Sequence, residues 1–222
     1  MKEEIPVEEL VLSANEQVAV ENQQTLDQRR VLAINLMASP GAGKTSLILA
    51  TARHLPPNVR PAVIEGDVAS RLDADTIEAA GLPVIQVNTM GGCHLDALMV
   101  RSALAHLPLE KVNLLFVENV GNLICPVDFP LGTHLNVAVA SVPEGPDKPY
   151  KYPGIFTKVD AVVLNKADVM DVFDFDVDYF RRGITMLNPN APLFILSCKT
   201  GQGVQAWVRW LLAKWEEHFP PR

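Results

Sequence analysis

The sequence predicts an α/β fold, a predominantly parallel, doubly wound sheet with helices on both faces. Three observations predict it. Apolar runs of strand length recur near 31–37, 61–65, 84–87, 112–118, 135–140, 159–164 and 192–196. Short continuous runs of this kind mark strands buried on both faces, as in parallel sheets with helical crossovers. Helical patterns lie between several of these runs, the alternation expected of βαβ units. The first run opens directly onto a Gly-rich turn and then a helical pattern.

In chain order, residues 6–20 read as a helix with Pro6 near its first turn. Val7, Leu10, Val11, Ala14 and Val18 fall at helical spacing and give one apolar stripe. That stripe either packs on its own domain or meets a partner. The polar stretch Glu21 to Arg30 then leads into the first strand. The division expected is an N-terminal helical extension over 1–30 and the α/β domain over 31–222. Further helices are expected near 44–54, 70–80, 95–106 and 175–187, and a long amphipathic one over 202–218. On the last, Val204, Trp207, Val208, Leu211, Leu212 and Trp215 form a core-facing stripe, with Trp210 off it and expected to be exposed. No internal repeat or low-complexity segment interrupts the pattern.

The chain has 222 residues, 48% hydrophobic and 20% charged, which suits one domain with a sizeable core. Its formal charge of -7, with no basic run, argues against nucleic acid or an anionic membrane as partner. No apolar run approaches the roughly 18 residues of a spanning helix. The start MKEEIPVEEL lacks the positive and apolar regions of a signal peptide. Three cysteines do not suggest a disulfide framework. A reducing, cytoplasmic setting is expected, in which thiols are free for metal.

Residues 38–46 read ASPGAGKTS between a strand and a helix, the context a P-loop requires. Pro40, Gly41, Ala42, Gly43, Lys44, Thr45 and Ser46 are the expected phosphate contacts. The glycines let backbone N–H groups approach phosphate oxygens, Lys44 neutralises the β- and γ-phosphates, and Thr45 binds Mg²⁺. The strict pattern starts with Gly where this chain has Ala38. Asp67, after the second run, either holds Mg²⁺ or caps the next helix. Glu118 ends the run Asn113–Glu118 at the sheet edge where ligands sit in such folds. Glu118-x-x-Gly121 resembles the Asp-x-x-Gly switch of GTPases. In that reading Gly121 N–H meets the γ-phosphate, and Glu118 serves Mg²⁺ or the attacking water. Lys44, Asp67 and Glu118 are the expected catalytic group, and Thr45, Asp67 and Glu118 the magnesium group.

Asn165-Lys166-Ala167-Asp168 follows the sixth run. A carboxylate accepts both adjacent donors of guanine, so Asp168 selects guanine over adenine. Asn165 positions the loop and the Lys166 stem covers the ring. Ser197-Cys198-Lys199-Thr200-Gly201 follows the last strand as the companion loop, with the Cys198 N–H expected on guanine O6.

Gly91-Gly92-Cys93-His94 joins a strand to a helix expected near Leu95, and Cys125 lies four residues after Gly121. Both loops leave the same sheet edge as the nucleotide loop. Thiolate and imidazole favour Zn²⁺ or Ni²⁺ over Mg²⁺ or Ca²⁺. A lowered Cys93 pKa is expected from the nearby helix N-terminus. Three soft ligands in one chain are fewer than the usual four, so a symmetric dimer pairing Cys93 and Cys125 from each subunit would complete a site. Cys198 is assigned to the guanine loop.

Together, ASPGAGKTS, EGD, GGCH, ENVGNLICP, DKPYKYP, NKAD and SCKTG, in this order over roughly residues 30–205, resemble the hydrogenase nickel-incorporation GTPases of the HypB type. These belong to the P-loop NTPases that work as nucleotide-dependent dimers. The resemblance implies slow hydrolysis of GTP to GDP and phosphate, a GTP-promoted homodimer, and Ni²⁺ or Zn²⁺ at its interface on Cys93, His94 and Cys125. It implies a small HypA-type nickel/zinc metallochaperone as partner and the [NiFe]-hydrogenase large subunit as nickel recipient. It also implies that a lysine of DKPYKYP, assigned here to Lys151, reaches the neighbouring subunit's nucleotide. The chain departs from many such proteins in having no cysteine before Cys93 and no histidine before His54. Nickel storage is therefore not expected.

The expected mechanism is a switch. The γ-phosphate draws Gly121 inward and the Cys125 loop follows, so metal geometry and dimerisation depend on nucleotide. Three other readings compete. A urease-type nickel GTPase would carry Cys-Pro-His in place of Gly-Gly-Cys-His. A P-loop small-molecule kinase would not need NKAD or GGCH. A passive metal buffer would bind metal regardless of nucleotide.

Overall fold

Seven strands form one parallel sheet among the described residues of the computed structural model, which are 7–68 and 70–220. They are β1 (Leu32–Ala38), β2 (Pro61–Asp67), β3 (Val84–Asn88), β4 (Leu114–Glu118), β5 (Leu135–Ser141), β6 (Ala161–Asn165) and β7 (Leu193–Ile195). Their spatial order is β3-β2-β4-β1-β5-β6-β7, and every neighbouring pair is parallel. The seven apolar runs thus become the seven strands. β1 lies between β4 and β5; the connection leaving β1 runs toward β2 and that leaving β4 runs the other way to β5, so the crevice at their C-terminal ends is the switch point where ligands bind in such sheets.

The longer helices are α1 (Val7–Arg29), α2 (Lys44–His54), α3 (Leu72–Ala79), α4 (Ala97–Leu104), α7 (Val177–Leu187) and α8 (Val204–His218). Two short ones, α5 (Lys148–Lys151) and α6 (Pro153–Thr157), follow β5. α4 starts at Ala97 because Asp96 caps it, its side chain accepting the Met99 amide at 2.7 Å. Asp176 caps α7 in the same way through Tyr179 N.

Alternate residues of β1 serve opposite faces. Leu32, Ile34 and Leu36 join the layer under α2 and α8, while Ala33 joins the layer under α1 and α4. A third layer, around Val162, Leu164, Ile155 and Phe180, lies under α6 and α7. Both faces are covered, which explains why the strands read as unbroken apolar runs. Trp207 is fully buried where α8 meets α2, and its indole N–H donates to Thr51 Oγ1 at 2.9 Å. Truncation of so large a buried ring costs roughly 3–5 kcal/mol. Trp210 stacks on Trp207 with centroids 5.3 Å apart and packs against the same layer, so the expectation of an exposed Trp210 fails.

α1 differs most from expectation. It runs on through the polar stretch to Arg29. Pro6 and the side chains of Val7 and Leu10 lie outside the described residues. Val11 is 50% exposed and Ala14 is exposed, so neither docks. The buried positions are Asn15, Ala19, Asn22 and Leu26, spaced by four, three and four residues along one face. The face that docks is half polar, and a search for apolar periodicity selects the wrong one.

The far end of α1 is held by His134 and Arg30. His134 Nδ1 accepts the Ala33 amide at 3.0 Å, and Nε2 meets Asp27 Oδ1 at 3.0 Å. Arg30 donates to the Phe219 carbonyl at 2.7 Å. Burial holds the His134 pKa below the ordinary imidazole value, with Asp27 opposing and His218, stacked edge-on at 5.4 Å, adding to the depression. A depressed histidine stabilises the fold above its unfolded pKa of about 6.5 and loses that contribution as pH falls. The thermal midpoint should therefore drop between pH 7.5 and 5.5, and in His134→Gln the drop should be smaller. An equal drop in both proteins, read by circular dichroism, would remove His134 from the acid response.

Candidate functional site

Four strand ends supply the site. Ala38, Asp67, Glu118 and Asn165 close β1, β2, β4 and β6 at the same edge of the sheet. The loop after β1 turns through Gly41 (φ 77°) and Gly43 (φ 101°), left-handed conformations that glycine adopts without strain. α2 begins at the next residue, Lys44. Its N-terminus faces the loop and favours an anion there.

Lys44 is buried, with Nζ 3.8 Å from Glu118 Oε1, and the Thr45 hydroxyl donates to the same oxygen at 2.9 Å. Glu118 lies opposite Glu65 in the β2–β4 register. Both carboxyls are buried, and one oxygen of each has no hydrogen-bond partner among the described residues. Burial raises the Glu118 pKa to about 7, with Lys44 and Thr45 opposing. Burial, then the Glu118 charge, raises Glu65 to about 8. Glu65, Asp67 and Asp73 bring carboxylate oxygens within 4.8 Å of one another. Carboxyls gathered this closely in one recess fit a hard divalent cation; of the expected holders, Thr45 and Glu118 are in contact and Asp67 stands with Glu65 and Asp73. Asp67 does not cap α3, which starts at Leu72 after Arg71. It accepts the Ser70 amide at 2.6 Å, in the turn before the helix.

Gly121 passes so close to the loop that a Cβ there would stand 3.0 Å from Pro40 N and Cα. Any group seated beside Pro40 therefore bears directly on the segment after β4. Lys148 reaches the loop from within the same chain, 3.5 Å from Ser39 Oγ and 3.4 Å from Glu144 Oε1. Lys151 is exposed and pairs with Asp147. Of the two lysines, Lys151 is the one turned outward.

The expected base loops meet across the sheet edge. A cavity of about 410 Å³ is lined by Ser46, Leu49, Arg53, Asn165, Lys166, Asp168, Val169, Cys198 and Lys199. Asp168 is exposed in it and accepts the Ser197 hydroxyl at 2.6 Å, the main cause of its lowered pKa. Asn165 is buried and ties three segments. Its Nδ2 donates to Ala42 O at 3.1 Å, and its Oδ1 accepts Lys166 N at 2.7 Å and Cys198 N at 3.2 Å. The Cys198 N–H, expected on guanine O6, is thus engaged by Asn165. Lys166, at φ 61°, sends Nζ to Gly41 O at 2.7 Å, so its stem spans from the base loop to the phosphate loop.

Cys93, His94 and Cys125 converge, their ligand atoms all within 4.8 Å of one another. Cys93 Sγ is 3.5 Å from His94 Nδ1. Two thiols and an imidazole this close, with Cys93 exposed, fit a soft divalent cation and leave room for ligands from outside the chain. The expected lowering of the Cys93 pKa is not found. A hydrogen bond with Cys125 raises it, and the helix starts only at Ala97, behind the acidic cap Asp96. Burial lowers the His94 pKa, favouring the neutral, ligating form. The His94 ring stacks on Phe129, with centroids 3.9 Å apart. The apolar side chains Met90 (85% exposed) and Ile124 (65% exposed) flank the cysteine loops.

Sequence reasoning missed the residue joining the two sites. Asn119 is fully buried, and its Oδ1 accepts the Leu95 amide at 3.0 Å. Its Nδ2 donates to Asn35, which in turn reaches Asn136. The Leu95 side chain also lies over Gly66, where a Cβ would come within 2.7 Å of it. A second polar residue directly after Glu118, at the end of an apolar run, is the signal that could have exposed this link.

The family model described as "CobW/HypB/UreG, nucleotide-binding domain" matches residues 32–195. The hydrogenase maturation factor HypB of Escherichia coli K12 is 44% identical over 207 residues, covering 93% of this chain and 71% of that protein. The probable hydrogenase maturation factor HypB of Methanocaldococcus jannaschii is 42% identical, covering 87% of each. A crystal structure of HypB from Helicobacter pylori in complex with nickel superposes with a TM-score of 0.89 at 36% identity, covering 93% of this chain and 97% of that one. HypB from Archaeoglobus fulgidus gives a TM-score of 0.85 at 34% identity, covering 91% and 99%. With the P-loop, the paired base loops and the Cys–His–Cys cluster on one sheet edge, the chain belongs to the CobW/HypB/UreG nucleotide-binding family and stands with its HypB members.

Proposed function

We propose that this chain is a GTP-hydrolysing carrier of nickel that serves [NiFe]-hydrogenase maturation. One observation carries the reading: consecutive residues at the end of β4 touch both sites, Glu118 the phosphate loop and Asn119 the amide of Leu95, next to His94. The chain's own residues divide the work. Lys44 and the loop amides bind the phosphates. Thr45, Asp67 and Glu118 would hold Mg²⁺, which would neutralise charge developing on the γ-phosphate. Gly121, pressed against Pro40, senses whether a γ-phosphate is there, and Cys125 moves with it. Hydrolysis gives GDP and phosphate and returns the loop. Cys93, His94 and Cys125 take Ni²⁺, or Zn²⁺, which the same donors accept.

Two features support a homodimer in the GTP state. The metal cluster is exposed and short of ligands, and Met90 and Ile124 leave apolar surface beside it. Lys151 then faces the partner's nucleotide. A HypA-type metallochaperone as partner and the hydrogenase large subunit as recipient fit the HypB relatives. A urease-type role is the alternative, and a HypB relative from Helicobacter pylori named hydrogenase/urease maturation factor, 36% identical, keeps it in view.

The base assignment has a direct test. Asp168→Asn should weaken GTP binding and admit xanthosine nucleotides, because the amide reverses the hydrogen-bond pattern offered to the base. Fluorescent-nucleotide competition reads this out, and unchanged GTP affinity would contradict it. The carrier function is tested by native mass and metal content with GDP and with a nonhydrolysable GTP analogue. The wild type should dimerise with the analogue and hold Ni²⁺, while Cys93→Ala should lose the metal. A monomer in both states, or metal retained without Cys93, would defeat the proposal.

A further inference from the structure

Asn15 and Asn22 of α1 each bond to two separate segments, and those segments carry the two halves of the metal cluster. Asn15 Oδ1 accepts the Ala97 amide at 2.8 Å, while its Nδ2 donates to Pro130 O at 2.8 Å. Asn22 Nδ2 donates to Ala97 O at 2.8 Å and to Leu131 O at 3.0 Å. Ala97 is three residues after His94 and is the first residue of α4, so its N–H is one the helix itself leaves unpaired. Pro130 and Leu131 follow Phe129, whose ring lies on the His94 imidazole, and Phe129 is four residues after Cys125. Between the two asparagines, the Ala19 carbonyl approaches Gly132 so closely that a Cβ there would collide with it.

Asparagine inside a helix is a poor choice for packing alone. It forms helix less readily than alanine or leucine, and burying it unpaired is costly. Here both asparagines are buried and spend their amides on loop backbone. We propose that α1 is a clasp for the metal site, in which Asn15 and Asn22 are positioning residues that hold the Cys93–His94 loop and the Cys125 segment in register. Metal affinity then depends on the bonds Asn15 and Asn22 make to the two segments, and a change that breaks those bonds weakens metal binding. The proposal rests on the metal reading of Cys93, His94 and Cys125.

The test uses the full chain and two probes, Ni²⁺ by calorimetry and Co²⁺ by its visible ligand-field and thiolate charge-transfer bands. Asn15→Ala and Asn22→Ala should weaken Ni²⁺ about ten- to hundredfold, the usual effect of removing groups that orient metal ligands, and should change the Co²⁺ spectrum. GDP affinity should stay at the wild-type value. Leu26→Ala is the control, since Leu26 packs α1 four residues beyond Asn22. It should lower the thermal midpoint with Ni²⁺ affinity and Co²⁺ bands unchanged. If an alanine variant does not fold, Asn15→Gln and Asn22→Gln keep a side-chain amide but carry it past its partners, and should give the same loss. Wild-type Ni²⁺ affinity and spectra in the asparagine variants would overturn the clasp. So would an equal Ni²⁺ loss in Leu26→Ala at matched stability. A wild-type chain that binds neither ion would sink the metal reading itself and the clasp with it.

Discussion

The buried end of β4 constrains everything around it. Two polar residues, Glu118 and Asn119, sit in succession where the sheet interior meets the ligand edge, both almost without solvent. Buried polar groups must find partners, and each of these finds a different one. Glu118 takes the Thr45 hydroxyl and lies near Lys44, and Asn119 takes the backbone of the Cys93–His94 loop. Neither site can rearrange at this edge without asking something of one short stretch of backbone. Gly121, pressed against Pro40, continues that stretch toward Cys125.

The acidic recess adds an electrostatic reason for the two sites to communicate. Glu65 and Glu118 face each other across β2 and β4 and are pushed toward protonation by burial and, for Glu65, by its neighbour. A divalent cation held there would relieve that cost by supplying the positive counter-charge that the buried carboxylates need. The side of the recess toward β3 carries Asp67, whose carbonyl accepts the Thr89 amide at the start of the metal loop. Asp67 thus ties the recess to the segment leading to Cys93 from a second direction.

Much of this was legible in the sequence because it is local. Unbroken apolar runs gave the strands, since both sheet faces are covered. ASPGAGKTS, NKAD and SCKTG marked short loops, and the structure brings them together at one sheet edge. Cys93, His94 and Cys125 were legible from chemistry, and the fold brings them together. What escaped is non-local or polar. α1 docks through Asn15 and Asn22, so the apolar stripe around Val11 and Ala14 misled, and the polar stretch after residue 20 concealed nine more residues of helix. Trp210 is covered by its i+3 neighbour Trp207 and by Phe194 of β7, and the second contact comes from another element, which helical periodicity does not register. The Cys93 pKa rises because a thiol from elsewhere in the chain shares its proton, which no neighbour in sequence reveals.

The most direct test of a shared strand end is thermodynamic. Ni²⁺ affinity of the wild-type chain is measured with GDP bound and with a nonhydrolysable GTP analogue bound, and the ratio of analogue to GDP affinity is measured with and without Ni²⁺. Linkage requires the two comparisons to give one factor. The account predicts that this factor departs clearly from one. A factor of one, with both ligands bound in full, would show that the two sites are neighbours on a sheet edge and nothing more.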